Sequence, residues 1–215
     1  MVVRFARYRR GPSLVAIPLL AAASLGSCSG GYNGARVTVA GDSITALEQP
    51  QLSAILTNYT ISYVFRYGIS IAPATALLRK ELASDGRPGG LVENLGTNDA
   101  LTGHKGTGPP PTLDPVVSAA TGIPCVVLTT ISTRADARGG SDVAASLNAE
   151  IARLHRQDPA RYQVVDWNGF VELLRPADFF RFIQADQIHP TPLGAQWLAQ
   201  ADAAALAACH IKATG

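Results

Sequence analysis

Gly41-Asp42-Ser43 stands early in the chain, and Asp186-Gln187-Ile188-His189 stands near its end. Between them they hold the three side-chain types that serine chemistry requires. A serine hydroxyl is a poor nucleophile until an imidazole takes its proton, and the imidazole needs a carboxylate to fix its tautomer. Ser43 is therefore the candidate nucleophile, His189 the candidate base and Asp186 the acid that orients it. A separation of three residues lets the Asp186 and His189 side chains emerge from one turn. Gly68 follows one strand-like run, and Gly96-Thr97-Asn98-Asp99 follows another. A glycine amide and an asparagine amide are natural donors to an oxyanion. Asp42 and Asp99 read as structural hydrogen-bonding residues rather than as acids of the reaction.

The residues and their order resemble the SGNH hydrolases, also called the GDSL esterase/lipase family. Ser43 matches the nucleophile of the first block and Gly68 the glycine of the second. Asn98, in Leu95-Gly96-Thr97-Asn98-Asp99, matches the asparagine of the third. Asp186 and His189 match the Asp-x-x-His of the last. Ile44-Thr45 stands where the family's name has leucine. The run Val164-Val165-Asp166-Trp167 is similar to the extracytoplasmic SGNH domains that accompany bacterial cell-wall O-acetyltransferases. The resemblance spans residues 37–194. It implies a flavodoxin-like fold, a Ser43–His189–Asp186 triad, and an oxyanion hole made by the Ser43 and Gly68 amides and the Asn98 side chain. The sequence has no P-loop or dinucleotide fingerprint and no His/Cys cluster at metal spacing, so no cofactor and no metal are expected.

One rival nucleophile is present. Gly68-Ile69-Ser70-Ile71-Ala72 falls one residue short of the Gly-x-Ser-x-Gly elbow of α/β-hydrolases, and Ser70 also precedes Asp186 and His189. That reading leaves Gly41-Asp42-Ser43 and Asn98 without a role. His104, His155 and His210 read as solvent-facing, and Arg134 as a solvated loop charge, contact with an acidic substrate being the alternative. Trp167 is a candidate for a pocket wall or for the core.

Bulk properties fit one folded domain. The chain has 215 residues, 47% of them hydrophobic and 16% charged, which excludes a disordered chain. Arg4, Arg7, Arg9 and Arg10 are four of its 18 basic residues. The remainder carries 14 basic against 16 acidic residues, so no basic face for nucleic acid is expected. Residues 1–28 read as an export signal: four arginines, then an apolar run from Leu14 to Leu25 that is too short to span a membrane. Leu25-Gly26-Ser27-Cys28 resembles a lipobox. It makes Cys28 a candidate for lipidation, and ordinary signal cleavage is the alternative. A membrane is a partner only through such an anchor. Export places Cys125 and Cys209 where a disulfide persists, the alternative being two buried thiols.

The elements that must position these residues alternate. Residues 29–35 form a small polar linker, and the hydrolase domain is expected over 36–212. Strands are predicted over 36–40, 60–66, 90–95, 124–130 and 162–166, with helices over about 50–57, 74–82, 114–121, 141–155 and 192–208. Gly103 to Pro111 is a Gly/Pro-rich loop. The alternation predicts a three-layer α/β/α sandwich around a five-stranded, mostly parallel sheet. Ser43 then lies at the C-terminal end of a strand, where such sheets place their ligands. If the last helix runs back across the sheet, Cys209 approaches Cys125.

The function expected from these features is hydrolysis of short acyl esters by an exported enzyme, the substrate being a small ester or an acylated glycan. Transfer of the acyl group to an envelope glycan and non-catalytic envelope binding are the alternatives.

Overall fold

The computed structural model describes residues 36–103 and 109–209. The expected signal segment, the linker, Cys28, His104 and His210 lie outside them. Five strands form one sheet: β1 (Arg36–Gly41), β2 (Thr60–Phe65), β3 (Gly90–Asn94), β4 (Cys125–Thr129) and β5 (Tyr162–Val165). All pairings are parallel and the order is β2-β1-β3-β4-β5. This is the flavodoxin-like order, in which the direction of winding switches between β1 and β3.

Each crossover carries at least one helix. These are α1 (Ser43–Ile55), α2 (Ile71–Asp85), α3 (Thr97–Thr102), α4 (Asp114–Ala119), α5 (Arg134–Gly139) and α6 (Val143–Gln157). After β5 come α7 (Trp167–Leu173), α8 (Pro176–Phe182) and α9 (Pro192–Ala208). Successive strand residues point to opposite faces. Along β4, Val126 and Leu128 join a core with Leu78, Leu147 and Ile151, whereas Cys125 and Val127 join one with Leu52, Trp167 and Leu198. Every residue of β4 is buried, as a central parallel strand covered on both faces must be.

One departure from the sequence reading bears on the site. Helix α1 begins at Ser43, not near Pro50. Asp42 caps it, its carboxylate accepting the Ile44 N–H at 2.9 Å, and Pro50 lies inside the helix. Gly41 permits this abrupt start, because a Cβ there would collide with the Thr45 side chain. Trp167 opens α7 and is 1% exposed, so of its two readings the core holds and the pocket wall does not. It packs with Phe170 and Trp197, whose rings stack 4.1 Å apart.

Helix α9 runs back across the sheet from the site. Cys209 at its end is joined to Cys125, the first residue of β4, in a disulfide with a Cα separation of 5.7 Å.

Candidate active site

Register brings three strand ends to one level. Gly41 pairs with Phe65 on one side and with Asn94 on the other. Ser43, Gly68 and Asn98 lie a few residues beyond these ends, at the switch point between β1 and β3. Open α/β sheets bind ligands in the crevice there.

Asn98 ties the three loops together. Its side-chain amide donates to the Asp42 carboxylate at 2.9 Å and to the Ile69 carbonyl at 3.0 Å. One side chain thus fixes the residue before Ser43 and the residue after Gly68. Asp42 is fully buried, and burial pushes its carboxyl up to about 6, against the Ile44 N–H, nearby His189 and the Asn98 amide. Asp99 accepts the Ile71 N–H at 3.0 Å, which fixes the start of α2. Both aspartates are structural, as read from the sequence.

Gly68 occupies a turn closed by the Ile69 N–H on the Arg66 carbonyl, with φ at +71°. That conformation suits glycine, and a Cβ would meet nothing, so φ and not space selects it. Among the described residues, neither the Ser43 N–H nor the Gly68 N–H has an acceptor.

The candidate base, His189, comes from the loop between α8 and α9. An antiparallel bridge between Ile183 and Pro190 pinches this loop, and Gln184 N–H donates to the His189 carbonyl at 2.8 Å. Within it the Asp186 carboxylate accepts the backbone N–H groups of Ile188 and His189, each at 3.0 Å. Its other oxygen is 2.5 Å from His189 Nδ1. Partial burial raises the Asp186 carboxyl, but these hydrogen bonds outweigh it and hold the group below its usual range. Asp186 therefore stays ionised and accepts a proton held on Nδ1. His189 Nε2 is left as an acceptor, and it lies 2.8 Å from Ser43 Oγ.

Ser43 is 7% exposed, while the His189 and Asp186 side chains are 29% and 38% exposed. Ser70 sits at the N-cap of α2 without a side-chain cap bond, and His189 is paired with Ser43 instead. His155 is not solvent-facing as read. It is half-buried, and its Nδ1 lies 2.6 Å from the Tyr162 carbonyl.

Two arginines stand beside the loop, Arg138, which sequence reasoning missed, and Arg134, whose placement it misjudged. Arg138 donates to the Asp186 carbonyl at 2.8 Å. Arg134 is not a solvated loop charge. It is half-buried on α5, with its guanidinium 4.3 Å from the centre of the Phe179 ring. No local signal marks either one, because their partners lie some fifty residues away in sequence. Among the described residues no group of three or more His, Cys, Asp or Glu residues is placed to hold a metal ion. Nor is any helix there long and apolar enough to cross a membrane.

Solved structures share this architecture. The C-terminal catalytic domain of peptidoglycan O-acetyltransferase A from Streptococcus pneumoniae matches over 84% of this chain and 96% of its own, with a TM-score of 0.62 and 17% identity. A lipase/acylhydrolase from Enterococcus faecalis matches over 84% and 99%, with a TM-score of 0.60 and 17% identity. An acetylxylan esterase from Geobacillus stearothermophilus, solved as a catalytic mutant, matches over 80% and 94%, with a TM-score of 0.57 and 14% identity. The chain therefore has the α/β fold of the SGNH, or GDSL, hydrolases. No family model matches the sequence, and no curated protein matches it.

Proposed function

We propose that this chain is an exported serine esterase that cleaves acyl esters, short-chain or acetyl, through an acyl-enzyme on Ser43. The observation that carries the reading is the unbroken relay from Ser43 Oγ to His189 Nε2 and from Nδ1 to Asp186.

In this mechanism Ser43 gives its proton to Nε2 as Oγ attacks the ester carbonyl. Asp186 keeps the Nδ1 proton and stabilises the imidazolium. The oxyanion is met by the Ser43 N–H, the Gly68 N–H and the Asn98 amide. Both amide N–H groups of Asn98 already donate, to Asp42 and to Ile69, so one of these hydrogen bonds is shared with the oxyanion or redirected to it as charge develops. The imidazolium then protonates the leaving alcohol. Water, activated by the same histidine, releases the acid.

The likeness to a peptidoglycan O-acetyltransferase domain favours a second reading, in which a sugar hydroxyl replaces that water. The likeness to an acetylxylan esterase supports an acylated glycan as substrate. Export rests on the arginine-led apolar segment of residues 1–28, with Cys28 as the residue for lipid attachment. The Cys125–Cys209 bridge is in keeping with an oxidising compartment. The test is hydrolysis of p-nitrophenyl acetate with and without a glycan acceptor. Hydrolysis without transfer supports the esterase, transfer at the expense of hydrolysis supports the second reading, and neither refutes both.

A further inference from the structure

Two adjoining cavities extend from the acid of the triad. The inner one, of about 410 Å³, is lined by Arg134, Arg138, Asp186 and Gln187. The outer one, of about 260 Å³, is lined by Arg134, Gln187, Phe179 and Phe180. Arg134 and Gln187 belong to both.

The two arginines differ in what they are already doing. Arg138 is engaged by the Asp186 carbonyl. Among the described residues the Arg134 guanidinium has neither a carboxylate within 4.0 Å nor any hydrogen-bond acceptor, and its Nε is fully buried without one. All 16 acidic side chains of the chain lie within the described residues, so none is left elsewhere to pair with it. Holding a buried donor without an acceptor is unfavourable, and more so when the donor is charged. The Phe179 ring under the guanidinium fixes its plane, which prepares a planar fork for a carboxylate.

The surrounding charges point the same way. Asp186 is the one carboxylate lining these cavities. Its oxygens are taken up by His189 Nδ1 and two backbone N–H groups. Two guanidinium charges therefore face one committed carboxylate. Asp178 on nearby α8 is paired with Arg175 and Arg181. Gln187 holds a left-handed backbone, φ +63°, which non-glycine residues seldom adopt. Its side-chain amide has no partner among the described residues. Phe180 is 63% exposed and offers a ring face on the outer side.

We propose that this groove is an anion subsite that receives a carboxylate carried on a ring, with Arg134 as the anion-binding residue, Gln187 as a second donor and Phe180 as the surface against the ring. Its position beside Asp186 makes the ring acid the alcohol part of the ester. That last step rests on the esterase reading, whereas the anion subsite does not. A sugar acid and a hydroxylated aromatic acid share this chemistry, and the test separates them.

D-glucuronate, 4-hydroxybenzoate and D-glucose are titrated into the full chain by calorimetry at low salt. One or both acids should bind, and glucose should not. Binding should weaken on the order of tenfold or more at high salt and in Arg134→Met, with partial recovery in Arg134→Lys. The stronger binder of the two acids identifies the ring. Acids that bind no better than glucose overturn the subsite, as does undiminished binding by Arg134→Met. The glucose and salt comparisons use the natural chain, so they decide the matter even if the variant fails to fold. In turnover, the ratio of kcat/KM for 4-acetoxybenzoate to that for phenyl acetate should fall on the order of 10–100-fold in Arg134→Met. An equal loss on both esters overturns the assignment to the substrate. If the natural chain binds an acid through Arg134 yet hydrolyses neither ester, the esterase reading fails and the subsite stands.

Discussion

Two sets of carboxyl groups in this molecule are held in opposite ways. Asp186 lies at the rim, 38% exposed, and accepts one side-chain and two backbone hydrogen bonds. Glu48 on α1 and Asp202 on α9 are 0% exposed; among the described residues no N–H group donates to their oxygens, which have only each other and the Thr129 hydroxyl nearby. Burial pushes Glu48 well up, with Asp202 adding to it through its charge and by accepting the Glu48 proton. Burial also pushes Asp202 up to about 6, against the opposing effects of Glu48 and Thr129. Two ionised carboxylates would leave each other without a donor, whereas one shared proton supplies it. Donors, then, decide the charge at the rim, and desolvation decides it between the helices. The site keeps its permanent negative charge where water and N–H groups support it. The helices that carry Ser43 and follow His189 meet at this buried pair, where burial favours the protonated form.

Removing the charge at the rim should have the largest effect. Asp186→Asn leaves the loop's hydrogen-bond geometry nearly intact but favours the wrong imidazole tautomer, so kcat for p-nitrophenyl acetate should fall by about 10⁴, the loss known for this change in serine proteases. A loss of less than tenfold would show that Asp186 does not orient His189.

Asn98→Ala should lower kcat by on the order of 10²–10³, the usual loss for one oxyanion donor. Because Asn98 also ties Asp42 to Ile69, it should lower the melting temperature as well. A change confined to KM would mean that Asn98 contacts only bound substrate.

Breaking the bridge with Cys125→Ser should cost about 2–5 kcal/mol, read from denaturant unfolding. An unchanged midpoint would show that the bridge contributes nothing to stability.

The smallest effect sharpens the comparison. A carboxyl raised in the folded state binds its proton more tightly there. Its stabilisation is complete below the unfolded value and is lost as pH rises through the folded one. For Asp202 that window runs from 3.8 to about 6, and Glu48 extends it upward. Asp186, lowered on folding, acts with the opposite sign: its stabilisation is present above the unfolded value and lost as pH falls. Glu48→Gln gives Asp202 a permanent donor. It should flatten the fall in stability above pH 4, changing it by roughly 1–3 kcal/mol. Identical pH profiles for the natural chain and the variant would show that the pair does not titrate on folding.

The rim was far more legible in the sequence than the pair. Gly68, Asp186 and His189 sit in short loops, and Ser43 and Asn98 stand in the first turns of helices that follow buried strands, so type and order alone mark them. The five strands and the 192–208 helix are legible because burial on both faces, or a long apolar face, leaves a clear pattern. The short helices α3, α5, α7 and α8 span six or seven residues each, too few for a period to show. The start of α1 was hidden because Asp42 is both its cap and a neighbour of Ser43. Glu48, Asp202 and Arg134 look like ordinary surface charges until packing places them, because their partners are distant in sequence.

The central claim is that His189 activates Ser43 and no other serine. Labelling the natural chain with a fluorophosphonate, followed by peptide mass spectrometry, tests it most directly. A single adduct on Ser43, formed much more slowly in His189→Ala, is the predicted result. An adduct on Ser70, or equal labelling with and without His189, would contradict it.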